Sequence, residues 1–484
     1  MIIKAGVLLI FICCICTISR AQIAVDWLVE PRPNDSLKTA QITCHDNFYP
    51  AIQLNIAKNT GFKLKSNTSL IPILDLGVQQ NEATHFRIGG GGFLEGSPGK
   101  KWYYRVGGIC YFQEAGNNFN VPYQEYNDQP NTIMGVSPMG RIAFQPHKFF
   151  NFQLGLDKNF IGEGCRSLFL SDYGKPYAFG KMQTNFWHLE YTILYQGLTE
   201  QYQNKTRLKF GSSHFLSWNV TSWLNINFFE SVIFQAKDTL LQRGFDPEYL
   251  NPFVFYRPQE YAIGSSDNVL IGGGITFKYN KHRLYSQFII DEFLLSEFRN
   301  KSGWWANKIG GQIGIKGWWG KGANTFFYRV EGNAVRPYTY SHLTPLQNYG
   351  NSNSTLSHPL GANFTELLAE TKWQNKKRLI KLFVSYGLKG VDQNNLSFGA
   401  DVYQPYTLRP YDYGVFIGQG EKVNFFRANL QFNYQISQKG AINLFAEMGF
   451  QYNIINSGSQ ESKNTQYLPV LGLRSQLWND YRNY

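Results

Sequence analysis

Residues 426–436 read FRANLQFNYQI. Phe426, Ala428, Leu430, Phe432, Tyr434 and Ile436 fall on one side of an extended chain, and Arg427, Asn429, Gln431, Asn433 and Gln435 on the other. This is the period-two pattern of a β-strand with unlike faces. Eleven residues is long for a strand in a soluble domain and close to what a tilted strand needs to cross the hydrocarbon core of a bilayer.

The pattern recurs through most of the chain. Ile442, Leu444, Ala446, Met448, Phe450, Tyr452 and Ile454 oppose Asn443, Glu447, Gln451 and Asn453, with Phe445 and Gly449 as lapses. Residues 380–389 alternate in the same way, and weaker versions occupy 150–156, 189–195, 284–290, 309–315 and 326–334. Residues 87–94 and 102–112, joined by Pro98-Gly99-Lys100-Lys101, read as a hairpin. A long series of such strands separated by Gly, Asn, Asp, Pro and Lys clusters is the mark of a meander or barrel. Helical periodicity of similar length is absent.

The first residues read as an export signal. Lys4 supplies the positive start, residues 5–18 the apolar stretch, and Ser19-Arg20-Ala21 a small-residue cleavage site before Gln22. That stretch is too short to span a membrane as a helix. No other apolar run approaches twenty residues, and the mean hydropathy is -0.32. A closed barrel reconciles such polarity with a bilayer, because outward apolar and inward polar residues cancel in any sliding average and closure pairs every backbone group. The aromatics point the same way: Phe 38, Tyr 30 and Trp 11 make 16% of the chain, and barrels place such residues in girdles at both interfaces. Trp102-Tyr103-Tyr104, Trp304-Trp305, Trp318-Trp319 and Phe326-Phe327-Tyr328 are read as girdle clusters at strand ends.

The expected architecture is therefore all-β. It comprises a signal peptide over 1–21, a short helical or irregular amino-terminal plug over 22–83, and a transmembrane antiparallel barrel of about 18 strands over 84–484, at roughly 22 residues per strand and connection. Pro50 ahead of Ala51-Ile52-Gln53-Leu54 suits a helix start, and 68–79 is read with the irregular pieces. Long connections, where binding chemistry concentrates, are expected at 117–138, 162–180, 239–266, 336–364 and 401–420.

Several chemistries are excluded. The formal charge of +12 falls to about +10 once Lys4 and Arg20 leave with the signal, but Lys and Arg are scattered and form no nucleic-acid motif, so a nucleic-acid partner is not expected. Six cysteines include three in the signal, and Cys44, Cys110 and Cys165 define no disulfide framework. Phosphate-binding glycine loops, nucleophile elbows and metal-binding histidine pairs are missing, so no cofactor or metal is expected. His188, His214, His342 and His358 are conceivable bases, but a histidine without a partner group makes no catalytic site, and an enzyme is not expected.

Four segments are richer than barrel filler requires. They are GEGCRSLFLSD at 162–172, 250–270 with Leu250-Asn251-Pro252-Phe253 and Gly264-Ser265-Ser266-Asp267-Asn268, SHPLGANFTE at 357–366, and RPYDYG at 409–414. Together, in this order, they resemble the capsule-assembly Wzi family of outer-membrane proteins, in particular its Bacteroidota branch, to which the gliding-motility surface protein RemB is similar. The resemblance implies an outer-membrane barrel of about 18 strands with a helical periplasmic plug, acting as a surface lectin for capsular polysaccharide.

Sugar binding needs aromatic faces for pyranose C–H surfaces and fixed polar groups for hydroxyls and acidic substituents. Arg166, Asp172, Arg257, Glu260, Asp267, Asn268, Asn363, Glu366, Tyr411 and Asp412 are the candidates. Their competing role is in ion pairs and turns of the barrel interior, where buried charges must find partners. The leading function is binding or organising surface polysaccharide, with a gliding or secretion-linked assembly as its setting. The alternative is a porin or substrate-specific channel. Expected partners are outer-membrane lipid and lipopolysaccharide, surface polysaccharide and other cell-surface proteins.

Overall fold

The structure is a computed structural model that describes residues 62–64, 68–80, 84–98, 101–114, 132–147, 149–236, 244–251, 267–321, 324–375, 377–436, 442–457 and 460–475. The expected signal, residues 22–61 of the expected plug with Cys44 and the helix start near Pro50, and Arg257 and Glu260 lie outside these residues. Eighteen long antiparallel strands close into one barrel, with Phe62–Leu64 as a three-residue addition on the first. In chain order they are β1 Thr68–Gln80, β2 Thr84–Gly96, β3 Trp102–Glu114, β4 Thr132–His147, β5 Phe150–Asp157 and β6 Tyr177–Phe186. Next come β7 Leu189–Tyr202, β8 Lys205–Asn219, β9 Leu224–Gln235, β10 Asn268–Tyr279, β11 His282–Glu292 and β12 Lys308–Lys321. The last six are β13 Asn324–Val335, β14 Phe364–Asn375, β15 Arg378–Val391, β16 Glu421–Gln435, β17 Ile442–Ser457 and β18 Gln460–Ser475.

Each strand pairs with its chain neighbours, and β1 meets β18 through Asp75↔Arg474 to Gln79↔Val470. Closure leaves no sheet edge for lipid to strip of hydrogen bonds. The seam is also ionic: Arg474 Nε lies 3.3 Å from Asp75 Oδ1, both groups buried. Thr68–Gln80, expected in the amino-terminal plug, is thus the first wall strand. Pro72 and the consecutive apolar residues Leu70-Ile71 and Ile73-Leu74 hide its alternation in the sequence. Residues 132–138, expected in a connection, likewise belong to β4.

Alternation along the strands sets the two faces. On β5, Phe150, Phe152, Leu154 and Leu156 are exposed while Asn151, Gln153 and Asp157 are buried. On β16, Leu430, Phe432 and Tyr434 are exposed while Asn429 and Asn433 are buried. The apolar face therefore looks outward and the polar face inward, the reverse of a soluble protein and the arrangement lipid requires. Trp319 stacks on Phe326 and Tyr328 along the outer wall, as an interfacial girdle does. Trp318 points inward instead, and Trp304-Trp305 lie in a connection rather than at a strand end.

The two ends of the barrel differ. At one, two to six residues join β2 to β3, β4 to β5, β6 to β7, β8 to β9, β10 to β11, β12 to β13, β14 to β15 and β16 to β17. Every connection of fifteen residues or more is at the other end, after β3, β5, β9, β11, β13 and β15. Barrels carry short turns on the periplasmic side and long loops on the outside, so the long-loop end is the cell-surface face.

Two of the long connections fold inward and form the core. Residues 158–176 bring Ile161, Leu168, Phe169 and Leu170 against Phe215 and Phe229 of the wall and against Tyr340, Tyr349 and Leu356 of the connection 336–363. Tyr340 and Tyr349 donate their hydroxyls to the Leu168 and Phe169 carbonyls at 2.9 and 2.7 Å. Among the described residues, the lumen is filled by these loops. A third connection folds the other way: in 244–251, Phe245 and Tyr249 cover Val232, Phe234 and Val269 on the outside of the wall.

Candidate functional site

The inward loops are pinned to the wall by buried charges at alternate, inward-pointing strand positions. Arg166 pairs with Glu366 of β14. Glu366 also accepts from His358 Nε2 at 3.1 Å, while His358 Nδ1 accepts the Leu360 N–H at 3.1 Å, which fixes the tautomer. Burial holds the His358 imidazole below its ordinary pKa, so it stays neutral. Lys316 of β12 reaches the Glu163 carboxylate at 2.7 Å, and Lys209 of β8 the Asn348 side chain at 2.6 Å. Glu331 of β13 accepts from the Tyr285 hydroxyl at 2.7 Å and from the Cys165 N–H at 2.8 Å. One carboxylate thus ties the loop to two strands.

The remaining candidates are placed as follows. Asp172 is buried, and its carbonyl accepts from Lys158 Nζ at 3.0 Å. Asn363, at φ 59, donates to the Phe398 and Gln419 carbonyls and accepts the Gly418 N–H at 2.7 Å. Asp267 accepts from Tyr249 on the outer side of the wall at 2.8 Å, and both Asp267 and the neighbouring Asn268 are buried. Arg166 and Glu366 come together, Asn363 links two loops, and Tyr411 and Asp412 stand at the surface. The eight candidates among the described residues do not form one pocket.

Tyr411 and Asp412 belong to a different constellation. The connections 293–307 and 392–420 pair at the loop end: Trp305 N–H donates to the Asp412 carbonyl at 2.9 Å, Gly414 N–H to Ser302 and Val415 N–H to Gly303. Gly303, at φ +66, lies so close to Gly414 that a Cβ would meet its backbone at 2.8 Å. This close pairing gathers Trp304 on Tyr413 at 4.9 Å and Trp305 on Tyr406 at 4.8 Å between ring centroids. Arg409 lies 4.1 Å over the Trp305 ring and donates to Asp412 at 2.6 Å, and Lys308 lies 4.4 Å from the Tyr406 ring centroid. Tyr411, Tyr413 and Phe416 are 38%, 56% and 59% exposed. Beneath them His342 donates toward Gln347, and burial pushes its pKa down to about 4.

Sequence reading missed the centre of this platform. Trp304, Trp305 and Arg409 carry the stacking, and the proximity of 302–305 to 412–415 has no local signal. Lys316, Lys209 and Glu331 were legible in principle, since each is a charge at an inward strand position.

No protein-family model matches the chain, and no curated protein does. Solved structures do. Wzi, an outer-membrane protein of Escherichia coli involved in group 1 capsule assembly and described as a carbohydrate-binding β-barrel, superposes with a TM-score of 0.55 at 14% identity over 85% of each chain. OprD of Pseudomonas aeruginosa matches 87% of this chain and 98% of its own at 12% identity and a TM-score of 0.43. OccAB4 of Acinetobacter baumannii reaches 0.42 at 8% identity, over 85% and 98%.

The chain is an outer-membrane β-barrel. Its outward apolar belt contacts membrane lipid. At such identities the likeness to the Wzi structure is one of fold. It carries nothing about a Bacteroidota branch or gliding.

Proposed function

We propose that this barrel is a non-enzymatic surface protein that binds or organises polysaccharide at its cell-surface end. The observation that carries the reading is the aromatic platform of Trp304, Trp305, Tyr406 and Tyr413 standing over loops that fill the lumen. The exposed Tyr413 and half-buried Trp304 and Tyr406, resting on the buried Trp305 and flanked by Arg409 and Asp412, offer stacking faces and charge-assisted hydrogen bonds together, the combination that pyranose rings with acidic substituents use. The carbohydrate binding ascribed to Wzi, a barrel of like fold, supports the same reading.

Glycan-array binding by the purified protein tests it. Binding that falls with Trp304→Ala or Tyr413→Ala while folding is kept supports the reading, and a chain that binds no surface glycan at all removes it. The channel alternative calls for a steady, large conductance in planar bilayers, which loops pinned by buried charges oppose. A place in a gliding or secretion-linked surface assembly is the finer form of the proposal. A deletion strain that keeps normal spreading and surface secretion would exclude it.

A further inference from the structure

The outer wall near the cell-surface end carries a trough of about 810 Å³. Strand register defines its floor. Gly311, Ala334, Thr365, Leu388 and Asn424 are successive cross-strand partners on β12 to β16. One pleat lower, Ile313, Gly332, Leu367 and Tyr386 form the next row. Ile313, Leu367 and Tyr386 are exposed large side chains on this outward face, so the trough opens toward lipid, while Gln287, Gln312, Asn333, Glu366 and Gly387 border it from inward strand positions. It exists because side chains are missing from the wall: a Cβ on Gly311 would meet nothing within 4 Å, and one on Gly332 only Ile313, at 4.0 Å.

The row one pleat higher is cationic. Arg336 continues β13 beyond Val335, its N–H donating to Ile309, and Lys422 pairs with Gly390 on the neighbouring strands. Arg336 spends three bonds on carbonyls, those of Asn307 at 2.8 Å and of Trp304 and Val415 at 3.3 Å. Lys422 is exposed. Among the described residues no carboxylate pairs with either.

Depth decides what meets this surface. Gly311 lies eight residues along β12 from the girdle residue Trp319, or roughly 20 Å along the barrel axis at about 3.3 Å per residue and a tilt of about 40°. The apolar band of such a barrel is about 25 Å tall. The trough therefore lies in the outer-leaflet half of the belt, with Arg336 and Lys422 at headgroup level.

We propose that this trough and its cationic rim form a site for an outer-leaflet lipid that combines saturated acyl chains with phosphate on its headgroup, and commit to lipopolysaccharide as the source. An acyl chain fills the space left open over Gly311 and Gly332 by dispersion contact, and a phosphate meets the guanidinium and ammonium groups. The inference uses only the barrel's membrane placement and stands or falls independently of glycan binding at the loop end.

The test is titration of the purified full-length protein in detergent with lipopolysaccharide, its phosphatase-treated form and phosphatidylglycerol, read by native mass spectrometry. Wild type is expected to prefer intact lipopolysaccharide, Lys422→Gln to weaken it about fivefold, from roughly one interfacial cation's contribution, and Gly311→Leu to abolish retention by filling the floor. Unchanged heat-modifiable mobility on gels confirms that both variants are folded barrels. Equal binding of phosphatidylglycerol, indifference to phosphate removal, or unchanged retention in both variants would each overturn the proposal.

Discussion

Arg166, on the inward loop after β5, forms a buried ion pair with Glu366 on β14, 200 residues later in the chain. His358 of a second inward loop donates to the same carboxylate, and Asn333 Nδ2 lies 3.4 Å from it. Glu366 is thus the point at which two lumen loops and two wall strands are held together. A buried carboxylate left without its cation carries an uncompensated charge, which is why the pair matters more when broken than when made.

Arg166→Ala is accordingly expected to destabilise the folded barrel by about 3–5 kcal/mol, the usual consequence of removing one partner of a buried pair. Denaturant titration of the detergent-solubilised protein measures this. A loss under about 1 kcal/mol would mean that solvent reaches the pair and that the loop is not sealed.

Acid should loosen the loops. His342 has its folded pKa pushed down to about 4 by burial and then by Lys308, whereas in the unfolded chain it titrates near 6.5. Between those values the unfolded state binds more protons, so stability falls as pH drops from about 6.5 to about 4, and nothing is lost above that window. His358 shifts in the same direction. His342→Gln, which can still bond to Gln347, should flatten this part of the stability profile. An unaltered slope in the variant would assign the pH dependence to other groups.

The platform rings are expected to act by stacking. Tyr413→Ala removes an exposed ring that leans on Trp304, so it should leave the melting temperature nearly unchanged while lowering glycan affinity about tenfold, an effect of about 1.4 kcal/mol. Calorimetric titration with the glycan selected on the array reads this directly. If Tyr413→Ala binds as tightly as wild type, the platform is not the contact surface.

How much of this was legible in the sequence differs between wall and loops. The wall was, because a side-chain period of two survives in single residues such as Phe432 against Asn433, and because lipid outside and polar groups inside force unlike faces. Strand β1 escaped, since Pro72 and the neighbouring isoleucines erase the contrast. The plug was expected from the amino-terminal segment, whose residues 22–61 lie outside the described ones; the described filler is made of connections 158–176 and 336–363. Their glycine-rich and polar content marked them as unusual, but nothing local states which way a loop folds. Arg166 and Glu366 were found for that reason, as unusual residues, and they form the kind of interior ion pair weighed for them beside ligand binding. Asp267 was grouped with them although it faces the opposite side of the wall, where Tyr249 holds it.

That outer covering has its own consequence. His214 and Glu230 are cross-strand partners whose side chains approach to 4.0 Å on the outward face, and both are buried. Tyr249 packs on the same face and accepts from the Ser212 hydroxyl through its carbonyl at 3.1 Å. Tyr249→Ala should therefore cost about 3–5 kcal/mol, as large buried aromatics do. The loss should shrink when His214 and Glu230 are also replaced by leucine, because the wall beneath would then tolerate lipid. Additive losses in the triple variant would show that the covering does not shield the pair.

Single-channel conductance in planar bilayers tests the account most directly. With loops 158–176 and 336–363 packed in the lumen, the wild-type barrel should conduct little, and replacing 160–173 by a short glycine-serine linker should open a large, steady current. A wild-type barrel that conducts as freely as the linker variant would contradict it.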